Sequence, residues 1–152
     1  MYKKIYYAII LTVCCIITSC SSDTVYHHYL PIEKTGWEKG DTLYFILKDS
    51  INTGKYESYI GVRHTVSYKY KDLWVSICTN CSEKPDTVHL ILANKDGKWN
   101  SNGTASGYYQ YETKGPDLHF SNSNDSIIKI WHIMKDTSVK DITDVGIKLT
   151  EK

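Results

Sequence analysis

The sequence predicts an all-β protein: a single antiparallel β-sandwich of about seven or eight strands behind an N-terminal signal peptide. Three observations predict it. From Trp37 onward the apolar residues fall in short runs, several of them alternating, as strands require. Turn residues separate these runs at regular intervals. No stretch of the mature chain keeps a helical apolar period for three turns. A barrel satisfies the same pattern less well.

The chain opens with Met1-Tyr2-Lys3-Lys4, a short positive segment, and continues through Ile5 to Ile17, apolar except for Thr12. That is the order of a secretory signal. The apolar stretch is short of the roughly 20 residues a membrane-spanning helix needs. Ile17-Thr18-Ser19-Cys20 resembles a bacterial lipobox, which divides the chain into a signal peptide at 1–19, a lipidated Cys20 with a polar tether to residue 36, and a sandwich domain at 37–152. The expected location is the cell envelope, anchored by lipid at the outer membrane. Ser21-Ser22-Asp23 lacks an acidic run after the lipid cysteine, which favours a periplasm-facing orientation.

Removing residues 1–19 leaves 133 residues, enough for one domain with a real core. The mature chain has 16 basic against 17 acidic residues, so no basic face speaks for nucleic acid. The expected partners are the membrane, through lipid, and an envelope protein, with a glycan as a further possibility. Of the five cysteines, Cys14 and Cys15 leave with the signal and Cys20 is consumed by lipid. Cys78 and Cys81 remain, an even count in an oxidising compartment, and a disulfide between them is expected. A redox dithiol wants a helix N-terminus at its first cysteine, and here a strand leads in. Zinc wants about four ligands.

The expected strands follow in order. Leu43 to Leu47 is a short apolar run bounded by turn residues, suited to a strand buried on both faces. Tyr56 to Val66 alternates, with Tyr56, Ser58, Ile60 and Val62 sharing a side. Leu73 to Ile77 and Thr87 to Leu92 come next, the latter with Pro85 marking an edge. Asn94-Lys95-Asp96-Gly97 is a turn. Thr104 to Tyr111, Ile127 to Met134 and Asp144 to Leu149 complete the set. Trp74 and Trp131 lie in apolar strands and are expected in the core. Trp99, Tyr108, Tyr109 and Tyr111 flank a turn and form a candidate binding surface, with core packing as the plainer reading.

These segments, in this order and spacing, resemble the gliding-motility-associated lipoprotein family of GldH type found in Bacteroidetes. Arg63, Tyr68-Lys69-Tyr70 and Leu73-Trp74 carry part of the likeness. Leu92-Ala93-Asn94 with Gly97-Lys98-Trp99, and Met134 with Ile142 to Ile147, carry the rest. The resemblance implies an envelope component linked to gliding and, through that machinery, to secretion of surface proteins. It implies no known reaction.

The residues agree with that absence. No catalytic residue, metal site or cofactor is expected. The acidic residues sit at turns without an acid/base pair, and no nucleophile-elbow, zincin or phosphate-loop motif occurs. His27 and His28 read as exposed, and His64, His89, His119 and His132 as satisfied or exposed strand residues. Asp-Ser/Thr-aliphatic triplets, such as Asp41-Thr42-Leu43 and Asp86-Thr87-Val88, resemble an O-glycosylation acceptor motif, although strand entry alone produces them.

Overall fold

The computed structural model describes residues 23–47, 51–79, 84–101, 103–121 and 127–152. Their regular structure is all strand: β1 (Thr24–Pro31), β2 (Trp37–Glu38), β3 (Leu43–Ile46), β4 (Gly54–Thr65), β5 (Asp72–Cys78), β6 (Asp86–Ile91), β7 (Tyr108–Phe120), β8 (Ile127–His132), β9 (Ser138–Val139) and β10 (Ile142–Glu151). Two four-stranded antiparallel sheets form, β1-β10-β4-β7 and β3-β8-β5-β6, with β2 and β9 as a small third pair. The sandwich expectation holds. The expected signal peptide and Cys20 lie outside the described residues.

Alternation builds the core. Tyr56, Ile60 and Val62 of β4 meet Val145, Ile147 and Leu149 of β10 on the inner face of the first sheet. Phe45, Ile128, Ile130, Val75, Ile77 and Leu90 supply the facing layer from the second. Close-packed aliphatic side chains of this kind are the main stabilising contribution, about 1.5–3 kcal/mol for each one fully buried.

Four expectations need correction. Residues 24–31, expected within the tether, form β1, paired with β10 from Thr24↔Thr150 to Pro31↔Asp144. As an edge strand it shows no clean alternation (His27 and His28 are both exposed), which hid it in the sequence. The run at 43–47 is not buried on both faces: Tyr44 and Ile46 are 54% and 53% exposed. Trp74 is exposed and Trp131 only half-buried, because both point away from the core. Finally, β7 runs on to Phe120 through Gly115-Pro116. A register break opposite Glu57 and Tyr59 accommodates the proline on this edge strand, and Ser58 Oγ donates to the Pro116 carbonyl at 2.6 Å.

Turn chemistry follows expectation at residues 94–97. Asn94 Oδ1 accepts from the amides of Asp96 and Lys98, and Gly97 takes φ +81°.

Candidate functional site

The two outer faces of the sandwich differ in chemistry. On the β1-β10-β4-β7 sheet the outward positions are charged and paired. Lys114–Glu57, Lys148–Glu112 and Lys152–Asp117 form ion pairs across neighbouring or nearby strands. The Lys114 ammonium and the Tyr59 hydroxyl hold the half-buried Glu57 carboxyl below the ordinary value. Such exposed pairs contribute little stability; they mark a solvated face.

One row on this face is built differently. Tyr29, Gly146 and Gly61 are register partners on β1, β10 and β4. The Tyr29 ring lies across both glycines: a Cβ on Gly61 would sit 2.1 Å from its hydroxyl oxygen, and one on Gly146 2.6 Å from its ring. Burial raises the Tyr29 hydroxyl's pKa above its ordinary value, with Glu112 and Asp144 adding to the effect and Arg63 opposing it. Arg63 rests on the ring, its guanidinium carbon 4.2 Å from the centroid. Its Nε donates to Gln110 Oε1 at 2.9 Å and Asp144 stands 3.8 Å away. Beyond Arg63 opens a cleft of about 480 Å³, bounded also by Thr104, Ser106, Tyr108 and Tyr109.

The predicted aromatic surface divides. Tyr108 is 44% exposed at the cleft mouth. Trp99 and Tyr111 pack against the core. Tyr109 stacks on His64 at 5.5 Å, and Trp99 approaches the same imidazole at 4.5 Å. His64 is fully buried, and burial lowers its pKa. The structure thus brings Tyr108 and Tyr109 to one cleft and turns Trp99 and Tyr111 inward. Gln110, Asp144 and the glycine row escaped sequence reasoning, since only the register joins them. The signal the sequence offered was a glycine inside each of two strand-like runs, Gly61 and Gly146.

The outer face of the β3-β8-β5-β6 sheet mixes apolar side chains with Lys129, Ser76, Thr87, His89 and Asp72. Among the described residues seven large hydrophobic side chains are exposed, and five of them, Tyr44, Ile46, Trp74, Ile91 and Ile133, stand here. Trp131 and Ile127 lie half-buried between them. Trp74 stacks flat on its strand partner His89, centroids 3.9 Å apart, and His89 Nε2 lies 2.9 Å from Asp72 Oδ2. At one end Tyr70, Trp74, Ile133 and Met134 line a depression of about 390 Å³.

Cys78, at the end of β5, is buried and disulfide-bonded. Cys81 lies outside the described residues. No cluster of three or more His, Cys, Asp or Glu side chains suited to a metal occurs among the described residues. Thr87 of one acceptor-like triplet is exposed on β6, and Thr42 of another is half-buried.

This order of strands is matched by a known family: the profile of the GldH lipoprotein family aligns with residues 24–149. The chain belongs to the GldH lipoprotein family. Its match begins at the first residue of β1, which agrees with that strand being part of the domain. The gliding motility lipoprotein GldH of Flavobacterium johnsoniae is 23% identical over 152 residues, covering 95% of each chain. Among solved structures, the coat protein of Tobacco streak virus aligns over 82% of this chain and 86% of its own, at 10% identity and TM-score 0.28. Its dimeric form gives 12% identity and TM-score 0.30 over the same shares. Scores this low carry no conclusion. Arg63 and Trp74, which carried the family resemblance, fall one on each of the two outer faces.

Proposed function

We propose that this GldH-family lipoprotein is a non-enzymatic component of a gliding-motility, secretion or related envelope assembly. Lipid on Cys20 holds it at the outer membrane facing the periplasm, and the outer face of the β3-β8-β5-β6 sheet docks an envelope protein. The observation that carries this reading is the cluster of exposed Trp74, Ile91 and Ile133 at one end of that face, beside the depression lined by Tyr70 and Met134. Exposed apolar side chains grouped in this way mark interaction surfaces, and tryptophan is a frequent energetic anchor of such surfaces.

A protein fits this face better than the bilayer does. Only residues 21–23 separate Cys20 from β1, a reach of about 14 Å at most. The anchor therefore sits near the Thr24 end. β1 then runs about 26 Å to Pro31. Pro31 pairs with Asp144, which pairs with Arg63 near the end of β4, and residues 66–71 cross from there to Asp72 and Trp74. Trp74, Ile91 and Ile133 thus stand at the end away from the lipid, facing a partner that reaches across the envelope.

Crosslinking and affinity purification from membranes, comparing the wild type with Trp74→Ser, tests the reading. A protein recovered with the wild type and lost at least tenfold with the variant is expected. Recovery of the same proteins with both would overturn it. So would binding of a Cys20→Ser form to anionic or zwitterionic vesicles through Trp74, which would make the face a membrane surface. Protease shaving of intact cells checks the orientation: the periplasm-facing placement requires protection.

A further inference from the structure

We propose that the cleft between Arg63 and Tyr108 is a binding site for a neutral oligosaccharide. The site lies on the charged sheet, on the opposite side of the sandwich from the docking face, and stands independently of it.

The first support is preorganisation. Arg63 is 41% exposed yet held from three directions, by the Tyr29 ring, by Gln110 and by Asp144. The Tyr29 ring has its position only because Gly61 and Gly146 leave room. Ordering a guanidinium is a cost that binding otherwise has to meet. Here folding has met it, at a side chain that still faces solvent.

The second support is the donor and acceptor inventory. Arg63 offers N–H donors, Asp144 offers carboxylate acceptors, and Gln110, Thr104 and Ser106 offer both kinds. An anionic ligand meets the Asp144 carboxylate. A cationic one meets the Arg63 guanidinium. A neutral ligand with many hydroxyls satisfies both, since each hydroxyl donates and accepts. The third support is shape. The exposed Tyr108 ring gives a flat apolar platform for the C–H face of a sugar ring, and about 480 Å³ lies within the usual range for small-ligand sites.

Four aromatic residues near this turn suggested themselves from the sequence, but only Tyr108 and Tyr109 reach the cleft. The polar residues that give the site its selectivity come from β4, β7 and β10 (Arg63, Gln110 and Asp144) and from the turn before β7 (Thr104 and Ser106).

The test uses the intact lipidated protein in an amine-oxide detergent, which contains no sugar. It is applied to an immobilised panel of neutral hexose and N-acetylhexosamine oligosaccharides, with uronate oligosaccharides as anionic counterparts. Saturable binding to at least one neutral member is expected, weakened tenfold or more by Tyr108→Ala and by Arg63→Gln, and unchanged by Lys55→Ala at the other end of β4. Tyr108 is a rim residue, so its variant keeps the test sound where the Arg63 variant fails to fold. The proposal is overturned if no neutral member binds, if only uronates bind, or if binding ignores both variants. The membrane pull-down through Trp74 reads a different face, so failure here leaves that result standing.

Discussion

Replacing Gly61 with alanine adds one methyl group to the middle of β4, on its solvent side, where it should be harmless. The structure says otherwise. The new Cβ falls 2.1 Å from the Tyr29 hydroxyl oxygen and 2.8 Å from the ring carbon bearing it, so the ring has to leave. Displacement of the half-buried ring forfeits about 1 kcal/mol of burial, half the low end of a full side chain's share. It also removes the Arg63 contact, worth about 0.5–1 kcal/mol at such exposure. Residual crowding against β1 adds about 1 kcal/mol. Alanine's lower backbone entropy in the unfolded chain returns about 0.5–1 kcal/mol. The net destabilisation is about 2 kcal/mol, or roughly 6–10 °C in melting temperature for a domain of this size. In a Tyr29→Ala background the obstruction is gone, and Gly61→Ala becomes neutral or slightly stabilising. Urea unfolding of the four chains of this cycle, each carrying Cys20→Ser for solubility, measures the coupling directly. Additivity within about 0.5 kcal/mol would refute the glycine row as the seat of the Tyr29 ring.

The remaining predictions concern protons and sulfur. His64 and His132 are buried, and burial lowers both pKa values, against the opposing pull of the Thr65 backbone on the first and of the Trp37 and Glu38 backbone on the second. Both are neutral when folded, whereas the unfolded chain protonates near about 6.5. Below that pH the unfolded state binds more protons, so stability is full above it and falls as pH drops toward the folded values, by at most about 1.4 kcal/mol per pH unit per histidine. A melting temperature lower at pH 5.5 than at pH 7.5, with the slope about halved in His64→Gln, is expected; a flat profile contradicts the buried neutral assignment. For Cys78, a peptide map of unreduced protein should recover it joined to Cys81. Opening so short a loop should cost only about 2 kcal/mol on a chain-entropy basis, read as the change in urea midpoint on reduction. Alkylation of both thiols without reductant would exclude the pairing.

Legibility in the sequence followed periodicity. β4 was legible because Tyr56, Ser58, Ile60 and Val62 recur at every second position, loosely alternating, on the side of the strand that is buried. β5, β6, β8 and β10 were found within a few residues for the same reason. β1 was missed because an edge strand needs neither alternation nor a central apolar run: its core-packed Val25, Tyr26 and Leu30 are interrupted by the exposed His27-His28 pair. Trp74 and Trp131 were misplaced for a related cause. Apolar content says that a side chain seeks cover, and it cannot say whether the cover is the protein's own core or another molecule. At the cleft, Tyr108 and Tyr109 were legible as aromatics beside a turn. Arg63 was visible only as part of a family pattern, and its partners were not visible at all.

By itself the sequence determined the class of secondary structure and the family, and it set the secretory signal, the lipid cysteine and the candidate sulfur pair as expectations. Each rests on local order along the chain: period, composition, or the spacing of a motif. The tertiary structure alone decided which side of each strand faces water, because that depends on which strands become neighbours. It decided that Tyr29, Gly146 and Gly61 form one row, from three strands whose residues stand 32 to 117 positions apart. It also decided that one outer face of the sandwich carries cross-strand ion pairs and the other most of the exposed large apolar side chains, since the strands contributing to each sheet are interleaved along the chain.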